Sequence, residues 1–264
     1  MSFEVAAHAY GRFMGRFSEP LAGPFADLAW VTAPQRALDV GCGPGALTGE
    51  LVRRLGAQDV SALDPSASFV AAAAARFPEA TVVNGVAESL PFADDSFDVT
   101  LAQLVVHFMA DPVLGLSQMA RVTRPGGTIA ACVWDHAGDH GPLRVYWRAV
   151  RDLDPAAEDE SRLAGTQEHE LPELLAAAGL TDVEPATLQV AVHFRDVDDW
   201  WEPYTLGVGP AGAHVATLDE DGREALRSRC AALLPSTDGF ELTARAWAAR
   251  GRAPGRSTAR PVAD

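Results

Sequence analysis

The stretch Leu38-Asp39-Val40-Gly41-Cys42-Gly43-Pro44-Gly45-Ala46 decides the fold. It runs from a short apolar segment into a pattern with helical spacing, Leu47, Leu51 and Leu55, which Gly56 stops. Glycine at such a strand-to-helix junction permits a tight turn and lets a ligand lie against bare backbone. The helix start behind it offers unpaired N–H groups and a partial positive charge. Asp64 closes the next apolar run, at the place where a carboxylate about 20 residues after the turn can accept the hydroxyls of a ribose. An adenosine-containing ligand follows from the two features together. Gly41-x-Gly43-x-x-Ala46 also satisfies the dinucleotide pattern, so the turn alone leaves a nicotinamide cofactor open.

Outward from the turn, apolar runs alternate with helical patterns, as in βαβ units with a parallel sheet. Strands are expected over 36–40, 60–63, 81–83, 97–102 and 128–134, with helices over 47–55, 66–77 and beyond Pro112. The Arg124-Pro125-Gly126-Gly127 stretch reads as a tight turn. Further on, helices are expected over 142–153, 171–178, 196–204 and 219–234, a strand over 182–194 and a closing strand over 240–249. Tyr10, Phe13, Met14, Phe17 and Leu21 give the N-terminal segment a helical apolar face that must cover something, hence a lid. Residues 251–264, rich in Arg, Pro and Gly, are expected to fray.

Composition narrows the chemistry. The chain has 264 residues, 48% of them hydrophobic, and a formal charge of −15, which would repel a phosphate backbone. Nucleic acid is therefore an unexpected substrate. All 21 basic residues are Arg, so lysine chemistry is excluded. Cys42, Cys132 and Cys230 are few and widely spaced, without a C-x-x-C pair, against disulfides or structural zinc. No apolar run is long enough to span a bilayer and no signal peptide is legible, so a cytoplasmic enzyme without a membrane partner is expected.

Four motifs in order resemble the class I methyltransferases that use S-adenosyl-L-methionine (SAM), in particular their UbiE-like, methyltransferase type 11 group. Residues 38–45 are similar to the first motif, D-x-G-C-G-x-G, and Asp64 matches the ribose-binding acid. Asn84-Gly85-Val86-Ala87-Glu88-Ser89-Leu90-Pro91-Phe92 with Asp95-Ser96-Phe97-Asp98 resembles the G-D-A-x-x-L-P-F and F-D signature. Arg124-Pro125-Gly126-Gly127 matches the R-P-G-G turn. Tyr10 to Ser18 is similar to the Y-x-x-x-M-G-R-x-S opening, whose helix closes over the cofactor. The resemblance implies a SAM site formed by Tyr10, Arg16, Asp39, Gly41, Cys42, Gly43, Gly45, Asp64, Pro65, Ala87, Glu88 and Gln103. In it Arg16 would pair with the methionine carboxylate and Tyr10 border the sulfonium, with helix packing and surface charge as the alternative for both; Gln103, after the fourth strand, is placed to touch the amino group. Val86 stands where the family usually has an adenine-binding Asp, so adenine recognition falls to backbone near Ala87 or to Glu88.

Beyond the motifs, Gln103-Leu104-Val105-Val106-His107 follows the fourth strand, on the carboxyl edge where open α/β sheets bind ligands. His107 is the candidate general base, against a packed histidine as the bland reading. His136 and His140, after the fifth strand, are candidates for substrate contact. With Asp135 and Asp139 they could be drawn as a metal site, but a loop containing Gly138 and Gly141 offers no fixed geometry, and no metal is expected. Trp200 and Trp201, with Tyr204 and a following glycine-rich loop, read as a cap on the substrate pocket or as interior packing.

The expected architecture is an α/β, Rossmann-like, mostly parallel, doubly wound sheet of seven strands, the last antiparallel, with a helical insertion before it. One domain is expected over 1–250: a lid over 1–33, a SAM-binding core over 34–135 and substrate-side helices with the closing strands over 136–250. The expected function is methylation of a small-molecule oxygen, nitrogen or carbon nucleophile, yielding S-adenosyl-L-homocysteine (SAH). An NAD(P)-dependent oxidoreductase and a non-catalytic SAM-binding protein are the alternatives.

Overall fold

Strands β1 (Ala37–Val40), β2 (Val60–Asp64) and β4 (Phe97–Gln103) are mainly apolar and lie buried nearly end to end. A strand covered on both faces reads in that way, and here it marks the centre of a parallel sheet. The computed structural model describes residues 7–255. Among them, seven strands form one sheet in the order β3-β2-β1-β4-β5-β7-β6, with β3 at Thr81–Asn84, β5 at Thr123–Trp134, β6 at Thr181–Asp196 and β7 at Asp238–Arg252. The first five strands pair parallel, and β7 runs antiparallel between β5 and β6.

Alternation along β5 splits the core into two layers. Ile129, Ala131 and Val133 face helices α5 (Pro112–Val122) and α7 (Glu170–Ala177), while Ala130, Cys132 and Trp134 face the opposite layer. That second layer contains α2 (Gly15–Leu28), α3 (Ala46–Leu55) and α6 (Arg144–Leu153). Leu21 and Phe25 anchor α2 there, fully buried, each stabilising by roughly 1.5–3 kcal/mol. Helix α1 (Ala7–Arg12) and the start of α2 carry Tyr10, Phe13 and Met14 to the carboxyl edge of the sheet. Helix α4 (Ala67–Arg76), capped by the Ser66 hydroxyl, joins β2 to β3.

Three local expectations need correction. The Arg124-Pro125-Gly126-Gly127 stretch is an excursion inside β5: Phe97 pairs with Thr123 but Val99 with Thr128, and Gly126 supplies a positive φ of 75°. The chain does not begin to fray at residue 251, because Gly251 and Arg252 pair with Ile129 and Thr128; residues 256–264 of that segment lie outside the described residues. The expected glycine loop becomes helix α9 (Gly209–Thr217), since Pro210 occupies a first-turn position where no amide donor is needed. A Cβ on Gly212 would stand 2.6 Å from the Gly207 carbonyl carbon, so that glycine serves a close backbone approach. Helices α8 (Val197–Trp201), α9 and α10 (Glu220–Leu233) form the insertion before β7.

Candidate active site

The glycine turn is held open by its neighbours. Gly41 and Cys42 donate their N–H groups to the Leu63 carbonyl at 2.7 and 2.9 Å, tying the end of β1 to β2. Gly41 has φ of 73°, and a Cβ there would meet Val105 at 2.4 Å. Gly43, at φ of 53°, would project a Cβ into open space. Gly45 caps α3 with φ of 95° and faces Phe77, so its role is local geometry, and the hollow beside the turn is lined by Pro44 and Ala46 instead. The Asp64 carboxylate accepts the Gly43 N–H and the Ser66 N–H, each at 2.8 Å.

The hollow runs along this turn and is closed from above by Tyr10 and Ser18 of the N-terminal helices. Asp39, Cys42, Asp64, Pro65 and Gln103 also line it. Its lining carries polar atoms with spare capacity. Asp39 accepts the Thr48 hydroxyl at 2.7 Å on one oxygen, but its Oδ1 is buried without a hydrogen bond. Gln103 donates to the Ser18 carbonyl at 3.0 Å, tying the lid to β4, and its Oε1 is likewise buried and unbonded. Ser18 Oγ makes no hydrogen bond of normal geometry, although it stands near the Tyr10 hydroxyl, whose pKa burial raises and Ser18 partly lowers. Burial pushes the Asp39 carboxyl up to about 7. Three buried oxygen atoms without hydrogen-bond partners thus belong to residues that line this hollow beside the Asp64 carboxylate, a lining that suits an ammonium group. These residues fit the amino-acid end of SAM.

A second hollow shares Gly41, Pro65, Val105 and Phe108 with the first and is bordered by Val86, Ala87 and Glu88. The Glu88 carboxylate accepts the Ala110 N–H at 2.7 Å and so is anchored to the loop after β4. His107 lies here, not in the chamber on the other side of Phe108. It is 7% exposed, and its Nδ1 is buried without a partner. Burial, with a smaller contribution from His136, pushes it down to about 3. A base poised near neutrality at His107 is therefore not what this environment makes.

The third hollow shares Tyr10, Leu104 and Phe108 with the first. Its walls are apolar: Phe13 and Met14 from the lid, Trp134 and Leu143 below, Val208 and Pro210 from the insertion. Glu160 and His136 enter it as titratable groups. Glu160, 5% exposed, accepts the Trp147 indole N–H at 2.8 Å, and burial pushes its carboxyl up to about 7. His136, half-buried, is pushed down to about 4 by burial.

Several anticipated contacts are elsewhere. Arg16 does not face the first hollow; its guanidinium donates to the His193 and Asp199 carbonyls and the Asp199 carboxylate and stacks 4.2 Å from the Phe194 ring centroid. It docks the lid on β6 and α8. His140 is exposed beside Asp135 and Arg245, whose own ion pair holds that loop. Trp200 and Trp201 are buried in an aromatic cluster with Tyr204, which packs on Phe13 with 4.8 Å between centroids; they back the chamber without lining it. Among the described residues no group of three or more His, Cys, Asp or Glu is arranged for a metal.

Several lining residues were not singled out from the sequence, Ser18, Leu104, Phe108 and Glu160 among them. Ser18 closes the Tyr10 to Ser18 motif and could have been found there. Leu104, Phe108 and Glu160 carry no local signal; Glu160 sits in an acidic run, Glu158-Asp159-Glu160, that reads as solvated surface.

A family model described as a methyltransferase domain matches residues 38–131. A demethylmenaquinone methyltransferase of Renibacterium salmoninarum is 32% identical over 176 residues, covering 60% of this chain and 73% of that protein. The chain belongs to the class I SAM-dependent methyltransferases. An uncharacterised methyltransferase of Mycobacterium tuberculosis is 38% identical over 162 residues, 60% of this chain, and the match spans 63% of that relative. The YcgJ protein of Bacillus subtilis has the same fold, with a TM-score of 0.60 at 18% identity over 90% of this chain and 99% of that one. The methyltransferase match ends before Glu160 and the insertion, so the apolar chamber, Leu104 and Phe108 apart, is lined by segments outside it.

Proposed function

We propose that this methyltransferase binds SAM in the first and second hollows and methylates a small molecule held in the third. The observation that carries the reading is that Asp39 Oδ1, Gln103 Oε1 and the Ser18 hydroxyl, all buried without a hydrogen bond, belong to residues lining one hollow beside the glycine turn. When bound there, SAM supplies an electrophilic methyl group on a sulfonium leaving group. The three oxygens receive the ammonium of its methionine part, and a cation beside Asp39 draws that carboxyl to its ionised form. Asp64 takes the ribose hydroxyls on lone pairs left by the Gly43 and Ser66 N–H groups. Val86, Ala87 and Glu88, which line the second hollow, would hold the adenine. Tyr10, Leu104 and Phe108, shared by the first and third hollows, form the passage through which methyl donor and acceptor meet. The chain's own contribution to rate is alignment of the two reactants and exclusion of water.

Calorimetric titration with SAH and with NADH tests the binding half: SAH should bind and NADH should not. Incubation with isotopically labelled SAM and cell extract, followed by mass analysis of small molecules, tests the transfer half. NADH binding without SAH binding would overturn the proposal.

A further inference from the structure

Glu160 stands at the boundary between two unlike spaces. On one side is the apolar chamber; on the other is a polar recess bordered by Arg144, Arg151, Asp139 and Asp159, with His136 and Glu160 common to both. A carboxyl group buried at the end of an apolar chamber is costly unless it has a task, because desolvation penalises its charge. Its position is firm. Trp147, buried in α6, donates to Oε2 at 2.8 Å, and the remaining lone pairs are available for another donor. Trp134 also lines the chamber, and its indole N–H is buried without a hydrogen-bond partner.

Resting on the methyl-transfer reading, we infer that Glu160 is the specificity-determining residue of the acceptor pocket, and that the acceptor is an uncharged, mainly apolar molecule presenting a hydroxyl group. The hydroxyl donates its hydrogen to the Glu160 carboxylate, and its oxygen retains lone pairs that the Trp134 N–H can meet. The count of donors selects among alternatives. An ammonium group brings three N–H donors and would leave some of them against Phe13, Met14 and Leu143. A carboxylate acceptor would confront Glu160 with a like charge, and no arginine lines the chamber to offset it. A hydrocarbon of the same shape would desolvate Glu160 without a hydrogen bond, which is the situation that makes polar pockets reject analogues lacking the donor.

The test uses calorimetry on the full chain at pH 8, with and without saturating SAH, with 2-naphthol, naphthalene, 2-methoxynaphthalene, 2-naphthoate and 2-naphthylmethylamine as probes. The wild type should bind 2-naphthol at least about tenfold more tightly than naphthalene or 2-methoxynaphthalene, as a charge-assisted hydrogen bond would dictate. Glu160→Gln, which keeps the shape, should shrink the preference for naphthol over naphthalene by about fivefold or more. Equal binding of naphthol and 2-methoxynaphthalene by the wild type would overturn the inference, as would tighter binding of the naphthoate or the amine, or an unchanged preference in a folded Glu160→Gln protein. Because the wild-type comparison needs no variant, a misfolded Glu160→Gln would not rescue the idea. Failure of SAH to bind would instead sink the methyl-transfer reading, and the naphthol comparison without SAH would still decide on Glu160.

Discussion

The Asp64 carboxylate at the end of β2 reaches back across the sheet edge and accepts the Gly43 N–H at 2.8 Å. One side chain therefore fixes the glycine turn and, on the proposed reading, also holds a ribose. Asp64→Ala should weaken SAH by tenfold or more through lost charge-assisted hydrogen bonds worth about 1.5–3 kcal/mol each. It should also lower the melting temperature of the unliganded protein by a few degrees, because the Gly43 and Ser66 N–H groups lose their acceptor. Calorimetry and thermal melts read the two effects separately. An unchanged melting temperature would show that the turn stands without Asp64.

Gly41 and Gly43 should respond differently to added side chains. Gly41→Ala forces a Cβ onto Val105 at 2.4 Å and should destabilise the fold itself. Gly43→Val meets open space, so the folded state should suffer little beyond the backbone strain at φ of 53°, roughly 1–2 kcal/mol. Its branched side chain would fill the hollow, and SAH binding should be lost. Normal SAH affinity in a folded Gly43→Val protein would move the cofactor elsewhere.

Glu160 should leave a mark on stability as a function of pH. Its carboxyl is raised from 4.5 to about 7 by burial, outweighing the Trp147 hydrogen bond, with Asp159 adding to the rise; His136, Asp139, Arg144, Arg151, Tyr146 and Tyr204 are further charged or titratable neighbours. Between those two values the native chain holds a proton that the unfolded chain has released. The contribution is therefore fully present below about 4.5 and is lost as pH rises through about 7. Glu160→Gln should stabilise the protein at pH 8, by at most on the order of 3 kcal/mol, and leave it unchanged at pH 4. Denaturant melts at the two pH values check this; an equal gain at both would trace it to packing.

For His107 the sign is reversed. Its folded value is depressed from 6.5 to about 3, so the unfolded chain takes up a proton first as pH falls. The stability tied to its neutral form is present above 6.5 and is lost toward about 3. His107→Leu should therefore gain stability relative to wild type at pH 4.5 and not at pH 8. Because the ring stays neutral throughout the working range, the pH–rate profiles of wild type and His107→Leu should superimpose in shape, with turnover changed less than about tenfold. A wild-type inflection near pH 6.5 that disappears in the variant would return His107 to the chemistry.

What the sequence by itself determined is the part governed by neighbours along the chain. The glycine turn, the buried runs of β1, β2 and β4, the Ser66 cap and the Gly56 stop depend on local backbone freedom and on side-chain periodicity, and both are written residue by residue. Asp39, Gly43, Asp64 and Gln103 were legible for the same reason, since the end of a parallel strand is also the edge of the site. Tertiary structure decided where long side chains end. Arg16 lies two residues from Ser18, yet its guanidinium reaches β6 and α8, about 180 positions away in sequence, because the carbonyls of His193 and Asp199 are there to receive it. Trp200 and Trp201 became core because the insertion folds their helix inward. Glu160 left an acidic run for the end of an apolar chamber because Trp147, one turn of α6 beyond Leu143, offers it a donor in a dry place; burial of that kind has no period and no motif, only a partner that folding brings near.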